Sequence, residues 1–128
     1  MPRFPLILLF SFFLGFGGCR EKPWPEGPPQ SQDEQLAESV WVSRCAECHG
    51  RTGRGDGPGA AALKQKPPDF SDPEWQRIED DDAELEAVIL LGGPPLGYSP
   101  EMPANPDLAK TPAVGPLLVK KIRSLERK

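Results

Sequence analysis

"SQDEQLAESVWVSRCAECHG", residues 31–50, carries one apolar stripe straight into a cysteine pair and the only histidine of the chain. Ser31 and Glu34 stand at S-x-x-E spacing, the pattern in which a hydroxyl and a carboxylate cap each other's backbone N–H groups. A helix therefore begins near Ser31 or Asp33. Ala37, Trp41 and Cys45 recur every four residues, with Val40 beside them, so one helical face leads to the cysteines. The next ten residues, "GRTGRGDGPG" (50–59), hold too many glycines for regular structure and read as a flexible loop. No Gly-Lys-Ser/Thr follows them, which excludes a phosphate cradle.

Further elements follow from periodicity and capping. "GAAALK" (59–64) has the length of one helical turn. "SDPEWQRI" (71–78) places Asp72 as cap and Pro73 at the first helical position, where the missing N–H costs nothing. A clearer helix spans Asp82 to Leu91, with acidic residues at the end where the helix dipole favours them. Leu85, Val88 and Ile89 are its buried stripe, and Gly92-Gly93-Pro94 ends it. "PPLGYSPEMPANP" (94–106) is a proline-heavy loop. A last helix runs from about Pro116 to Leu125, with Leu118, Ile122 and Leu125 on one face. Its basic residues, Lys120, Lys121, Arg123, Arg127 and Lys128, suit a helix C-terminus. No segment reads as a strand, so the fold class is all-α.

The 128 residues leave room for one small domain with appendages, and 17 prolines and 13 glycines keep regular structure from filling it. Basic residues number 15 against 19 acidic. No basic patch interleaves with aromatics, which argues against nucleic-acid binding. Residues 1–18 have the form of an export signal: Arg3, then the apolar "FPLILLFSFFLGF" (4–16), too short for a confident membrane span. The stretch ends in "FGGC" (16–19), which resembles the bacterial lipoprotein processing site. That resemblance implies a lipidated Cys19 as mature N-terminus and an acyl anchor in a lipid bilayer. Ordinary cleavage leaving Cys19 a free thiol, or an uncleaved anchor, are the alternatives. "REKPWPEGPPQSQ" (20–32) reads as an extended, solvated linker, with a segment structured around Trp24 as the alternative. The expected organisation is signal 1–18, lipidated cysteine and linker 19–32, and one domain 33–128.

Exported proteins normally pair their cysteines. With Cys19 lipidated, Cys45 and Cys48 remain, and a disulfide three residues long would staple nothing. C-x-x-C-H is the attachment signature of c-type haem. Two thiols one helical turn apart can add to two vinyl groups on one porphyrin edge, with His49 held under the iron. A thiol oxidoreductase would want a βαβ setting, which is absent. A structural zinc site would want four ligands, and only three lie together, with Cys19 distant. For the sixth iron position no second histidine exists. Met102 is the only methionine outside the signal, in a stiff proline-rich segment, and a thioether ligand raises the reduction potential. The alternatives are an ordinary loop methionine with iron five-coordinate or bound by a lysine.

From about Glu34 to Leu125 the chain resembles the class I c-type cytochromes of the small bacterial monohaem kind. The matching stretches are "CAECHGRTGRGDGPGAAAL" (45–63), "KPPDF" (66–70), "DDAELEAVILLGG" (81–93), "MPANPDL" (102–108) and "LVKKIRSL" (118–125). The resemblance implies a small cytochrome c fold, three to five helices around one covalently bound haem c and its iron, with the first and last helices crossing. It implies thioether bonds at Cys45 and Cys48, with His49 and Met102 as axial ligands. In that family a proline carbonyl accepts from the proximal histidine's other nitrogen; Pro58 is the candidate here, with a plain turn proline as the alternative. Ala37 and Trp41 match the small residue and aromatic of the helix crossing. Lys121 stands where the last helix of such proteins commonly has a tyrosine.

The expected function is single-electron transfer between respiratory redox proteins by a domain anchored on the extracytoplasmic, periplasmic side, as a monomer or a subunit of a complex. With both axial positions filled, substrate has no open site, so the chain is not expected to be an enzyme. Tethering raises a partner's effective concentration in the same membrane. The rival expectations are a haem-based ligand sensor, in which Met102 swings away, and a haem-bearing accessory subunit of a larger oxidoreductase.

Overall fold

The computed structural model describes residue 22 and residues 24–128. The signal-like stretch 1–18 and Cys19 lie outside the described residues. All regular structure among the described residues is helical, with no strand, and no helix there is long and apolar enough to cross a membrane. The helices are α1 (Gln32–Val40), α2 (Ala46–His49), α3 (Pro73–Ile78), α4 (Asp82–Leu91) and α5 (Val114–Ser124), joined by 3-10 turns at Ala60–Ala62, Pro94–Leu96 and Pro106–Lys110.

Helix α1 starts as its caps dictate. The Glu34 N–H donates to the Ser31 hydroxyl, and the Glu34 carboxylate accepts from the Ser31 N–H, both at 3.1 Å. It does not end at Val40 but continues through a π-helical stretch, Trp41–Cys45, into α2. There the Ala46 N–H reaches back five residues to the Trp41 carbonyl. Just upstream, the Ser43 hydroxyl occupies the Ser39 carbonyl at 2.6 Å, competing with the α-helical ladder. The wider turn alters the four-residue stripe expected from the sequence. Ala37 and Trp41 are buried, whereas Cys45 is only half-buried.

Helix α5 packs across α1, and Ala37, Val114 and Leu118 are all but completely buried there. It begins at Val114, two residues before Pro116. Proline is accommodated in this first turn because the N–H groups there have no helical acceptor. Helix α4 packs on α5 and buries Leu85 and Ile89. Asp81 caps α4 by accepting from the Ala83 and Glu84 N–H groups, and Asp72 caps α3 with Pro73 at its start. Arg123 ties the helices together, donating to Asp82 at 2.8 Å and to the Gln76 side chain at 2.9 Å. Gln76 in turn donates to the Phe70 and Ile122 carbonyls.

Two expectations are corrected. The stretch 20–32 is not wholly a solvated linker, because Trp24 is 1% exposed and belongs to the core. Its indole N–H donates to Glu38 at 3.3 Å. Lys121 does not join the solvated basic end of α5: it is buried, pairs with Glu38, and lies 5.5 and 5.6 Å from the ring centroids of Trp24 and Trp41. The cation at the helix crossing is stabilised by two ring faces and one carboxylate.

Because Trp24 fills the core, Trp24→Ala is expected to destabilise the folded protein by about 3 kcal/mol or more. Denaturant unfolding checks this, and a residue in a solvated linker would show almost no change.

Candidate functional site

Cys45, Cys48 and His49 sit on the last turns of the helix that α5 crosses. Both cysteines are unpaired, so no disulfide closes the three-residue gap. Burial pushes the Cys45 thiol up to about 11, outweighing the charges of Arg44 and Lys121, which act in the opposite direction. Among the described residues no three His, Cys, Asp or Glu side chains converge so as to hold a metal ion. A closed zinc cage is therefore not assembled from these residues.

Burial lowers His49 to about 4, so its imidazole is neutral over the ordinary pH range. The ring stacks on Phe70, with centroids 4.7 Å apart and planes 18° from parallel. Phe70 also meets Trp41 and Trp75, at 6.3 and 4.8 Å between centroids. The Nδ1 atom of His49 is buried and has no hydrogen-bond partner among the described residues. A buried polar atom without a partner is costly and calls for a reason. Pro58 is solvent-exposed, and its carbonyl does not accept from Nδ1 in this structure.

The glycine-rich loop is irregular, as expected, but stitched rather than loose. At the end of α2 three successive carbonyls have no helical donor. Gly59 N–H donates to Glu47, Gly57 to Cys48 and Gly55 to His49, at 2.8, 3.1 and 2.8 Å. Phe70 N–H then donates to the Gly53 carbonyl at 2.7 Å. The loop folds back under the cysteine turn and delivers Phe70 to the imidazole. A Cβ at Gly57 would lie 2.3 Å from the Glu47 carbonyl oxygen and 2.5 Å from that of Ala46. Only glycine allows that approach.

Met102 is half-buried in a loop fastened at two sides. Gly93 N–H donates to the Met102 carbonyl at 3.1 Å, and Asn105 N–H to the Leu90 carbonyl at 3.1 Å, so the loop follows the end of α4. Gly92, with φ +79°, makes the turn that permits this. On the other side the Glu101 carboxylate accepts from the Lys64 and Gln65 N–H groups. Arg44 binds Asn105 and Asp107, which connects the cysteine-bearing helix to the residues after Met102. An open groove between α4 and α5, lined by Asp82, Glu86, Pro116 and Arg123 among others, involves none of the expected site residues.

Sequence reasoning gave no site role to Phe70, Glu101 or Lys121. Phe70 was readable only as the single aromatic of "KPPDF". Lys121 falls between Leu118 and Ile122 on the arc that faces α1, but a lysine there reads as a surface cation until Trp24, Trp41 and Glu38 are placed around it. The Glu101 clamp joins loops far apart in sequence and left no local pattern. Compared with known proteins, the chain matches no family model and no curated protein.

Gly57→Ala is expected to destabilise the protein by about 1–3 kcal/mol, as overpacking against fixed backbone does. Thermal unfolding checks this, and an unchanged midpoint would show that the loop does not need to press on the cysteine turn.

Proposed function

We propose that this chain is a monohaem c-type cytochrome, anchored through a lipidated Cys19 on the extracytoplasmic side of a membrane, that carries single electrons between redox proteins. The observation that carries the reading is the state of "CAECH". Two unpaired thiols lie within a helical turn, followed at once by a half-buried, neutral imidazole whose buried Nδ1 lacks a partner among the described residues. The residues fit a covalently held haem. Cys45 and Cys48 would form the thioether bonds, and His49, being uncharged, can give one ring nitrogen to iron. The Pro58 carbonyl is the proposed acceptor for the other nitrogen, which at present has none. Bound haem would supply an iron that changes oxidation state by one electron.

The chain's own residues would do the rest. Phe70 holds the imidazole plane by stacking, and the loop at 50–59 fixes the turn beneath it. Met102 would be the second side chain to hold the iron, and the two-sided fastening of its loop is suited to keeping one side chain in place. That rigidity favours a carrier over a ligand sensor, because a sensor must release Met102. Leu91, beside the Gly92 turn, is 56% exposed, an apolar surface that a large flat cofactor or a partner would cover. The fold would then be a small cytochrome c fold. The domain would have no open metal position and no catalytic role, and it would act as a monomer or as a subunit of a complex.

Intact-mass analysis of protein made in a host that matures haem c tests the reading. One covalently added haem and one acylated N-terminus are expected, and the haem is lost in Cys45→Ala with Cys48→Ala. Colourless protein with alkylatable thiols would overturn it. Met102→Ala should lower the midpoint potential and let reduced protein bind carbon monoxide. Rapid binding by the unaltered protein would favour the sensor instead.

A further inference from the structure

Lys121 is a cation in the core with no obvious use in holding the core together. Its side chain is 11% exposed, and its partner Glu38 is 34% exposed. Burying such a pair costs desolvation on both sides, and an apolar replacement of similar volume is often neutral or stabilising. Stability therefore does not explain why a lysine stands here. Its position points elsewhere. The ammonium lies over the Trp41 ring, and Trp41 is one helical turn before Cys45. The two charges of the pair are not equally screened, because water reaches Glu38 more than Lys121. Glu38 is also two turns before Cys45 on the helix. Lys121 therefore contributes a positive charge near the cysteine turn, less screened than the exposed Glu47 carboxylate that the turn itself carries. Arg44, next to Cys45, has the same sign and acts on the turn as well, but it is exposed and paired with Asp107, whereas Lys121 is held in the core.

We propose that Lys121 raises the reduction potential of the haem held at Cys45 and Cys48, an inference that rests on the function proposed above. In the redox step ferric iron takes one electron from an external one-electron reductant and becomes ferrous. No bond forms or breaks and no proton is needed, and the charge of the site falls by one unit. A fixed positive charge beside the attachment turn favours the state with less positive charge. Glu38 orients the ammonium over the two indoles and partly offsets it.

The test is a spectroelectrochemical titration of mature holoprotein, at one pH and one salt concentration, for the unaltered chain, Lys121→Met, Lys121→Arg and Glu38→Gln. At a fixed applied potential the reduced-to-oxidised ratio should fall about tenfold in Lys121→Met, as expected for removal of a nearby charge at an intermediate effective dielectric. Glu38→Gln should raise the ratio, and Lys121→Arg should leave it close to the unaltered value. The opposite signs separate field from structure, because loosening the helix crossing would move both variants the same way. Shifts of the same sign, or no shift, would overturn the inference. Should Lys121→Met fail to mature, Glu38→Gln decides alone: an unchanged or lowered ratio overturns it. Unaltered protein that takes up no haem would instead overturn the function itself, whereas haem-loaded variants with equal potentials would sink only the role of Lys121.

Discussion

The crossing of α1 and α5 is the constraint on which the rest of the molecule depends. It is closed by a residue with almost no side chain, Ala37, against Val114 and Leu118, all essentially without solvent contact. Close approach of two helices needs a small residue at the contact, and what surrounds that contact is correspondingly large. Trp41 and Trp24 flank it, with Lys121 between them. Since α1 continues without a break through the π-helical stretch into α2, the crossing also sets where Cys45, Cys48 and His49 stand. π-helical turns occur often at functional sites, and this one ends on the first cysteine of the pair.

The second layer of order is made by backbone and carboxylates rather than by apolar packing. Three carbonyls at the end of α2 receive glycine N–H groups from one loop, and that loop brings Phe70 onto the imidazole. The acidic run 79–86, which a solvated surface would explain, has structural partners. Asp81 caps α4, Asp82 holds Arg123, and the Tyr98 hydroxyl lies within 3.0 Å of Glu79 and 2.9 Å of Glu84. Burial, with the help of these carboxylates, pushes the Tyr98 phenol upward from its usual range. Much of the charge that could have steered a partner is occupied in holding α3, α4 and the loop before Met102 together.

Under the proposed function these two layers have separate tasks. The helix crossing would keep the attachment turn rigid and, through Lys121, charged. The stitched loops would hold His49 from one side and Met102 from the other. Electron transfer asks for little rearrangement, and a site bounded by fixed backbone hydrogen bonds offers little freedom to rearrange.

The sequence by itself determined the helices and their caps, because those depend on residues three or four apart. Ser31 with Glu34, Asp72 with Pro73, and Asp82 to Leu91 ending at Gly92 all stand where spacing puts them. The grouping of Cys45, Cys48 and His49 was equally local. What only the tertiary structure decided involves partners distant along the chain. Trp24 reads as part of a polar linker until Glu38 and Lys121 are beside it, and Lys121 reads as a surface cation until two indoles enclose it. The unpartnered Nδ1 of His49 and the Glu101 clamp on residues 64 and 65 have no local signature either. Burial and charge pairing are properties of the whole packed chain, and no window of sequence contains them.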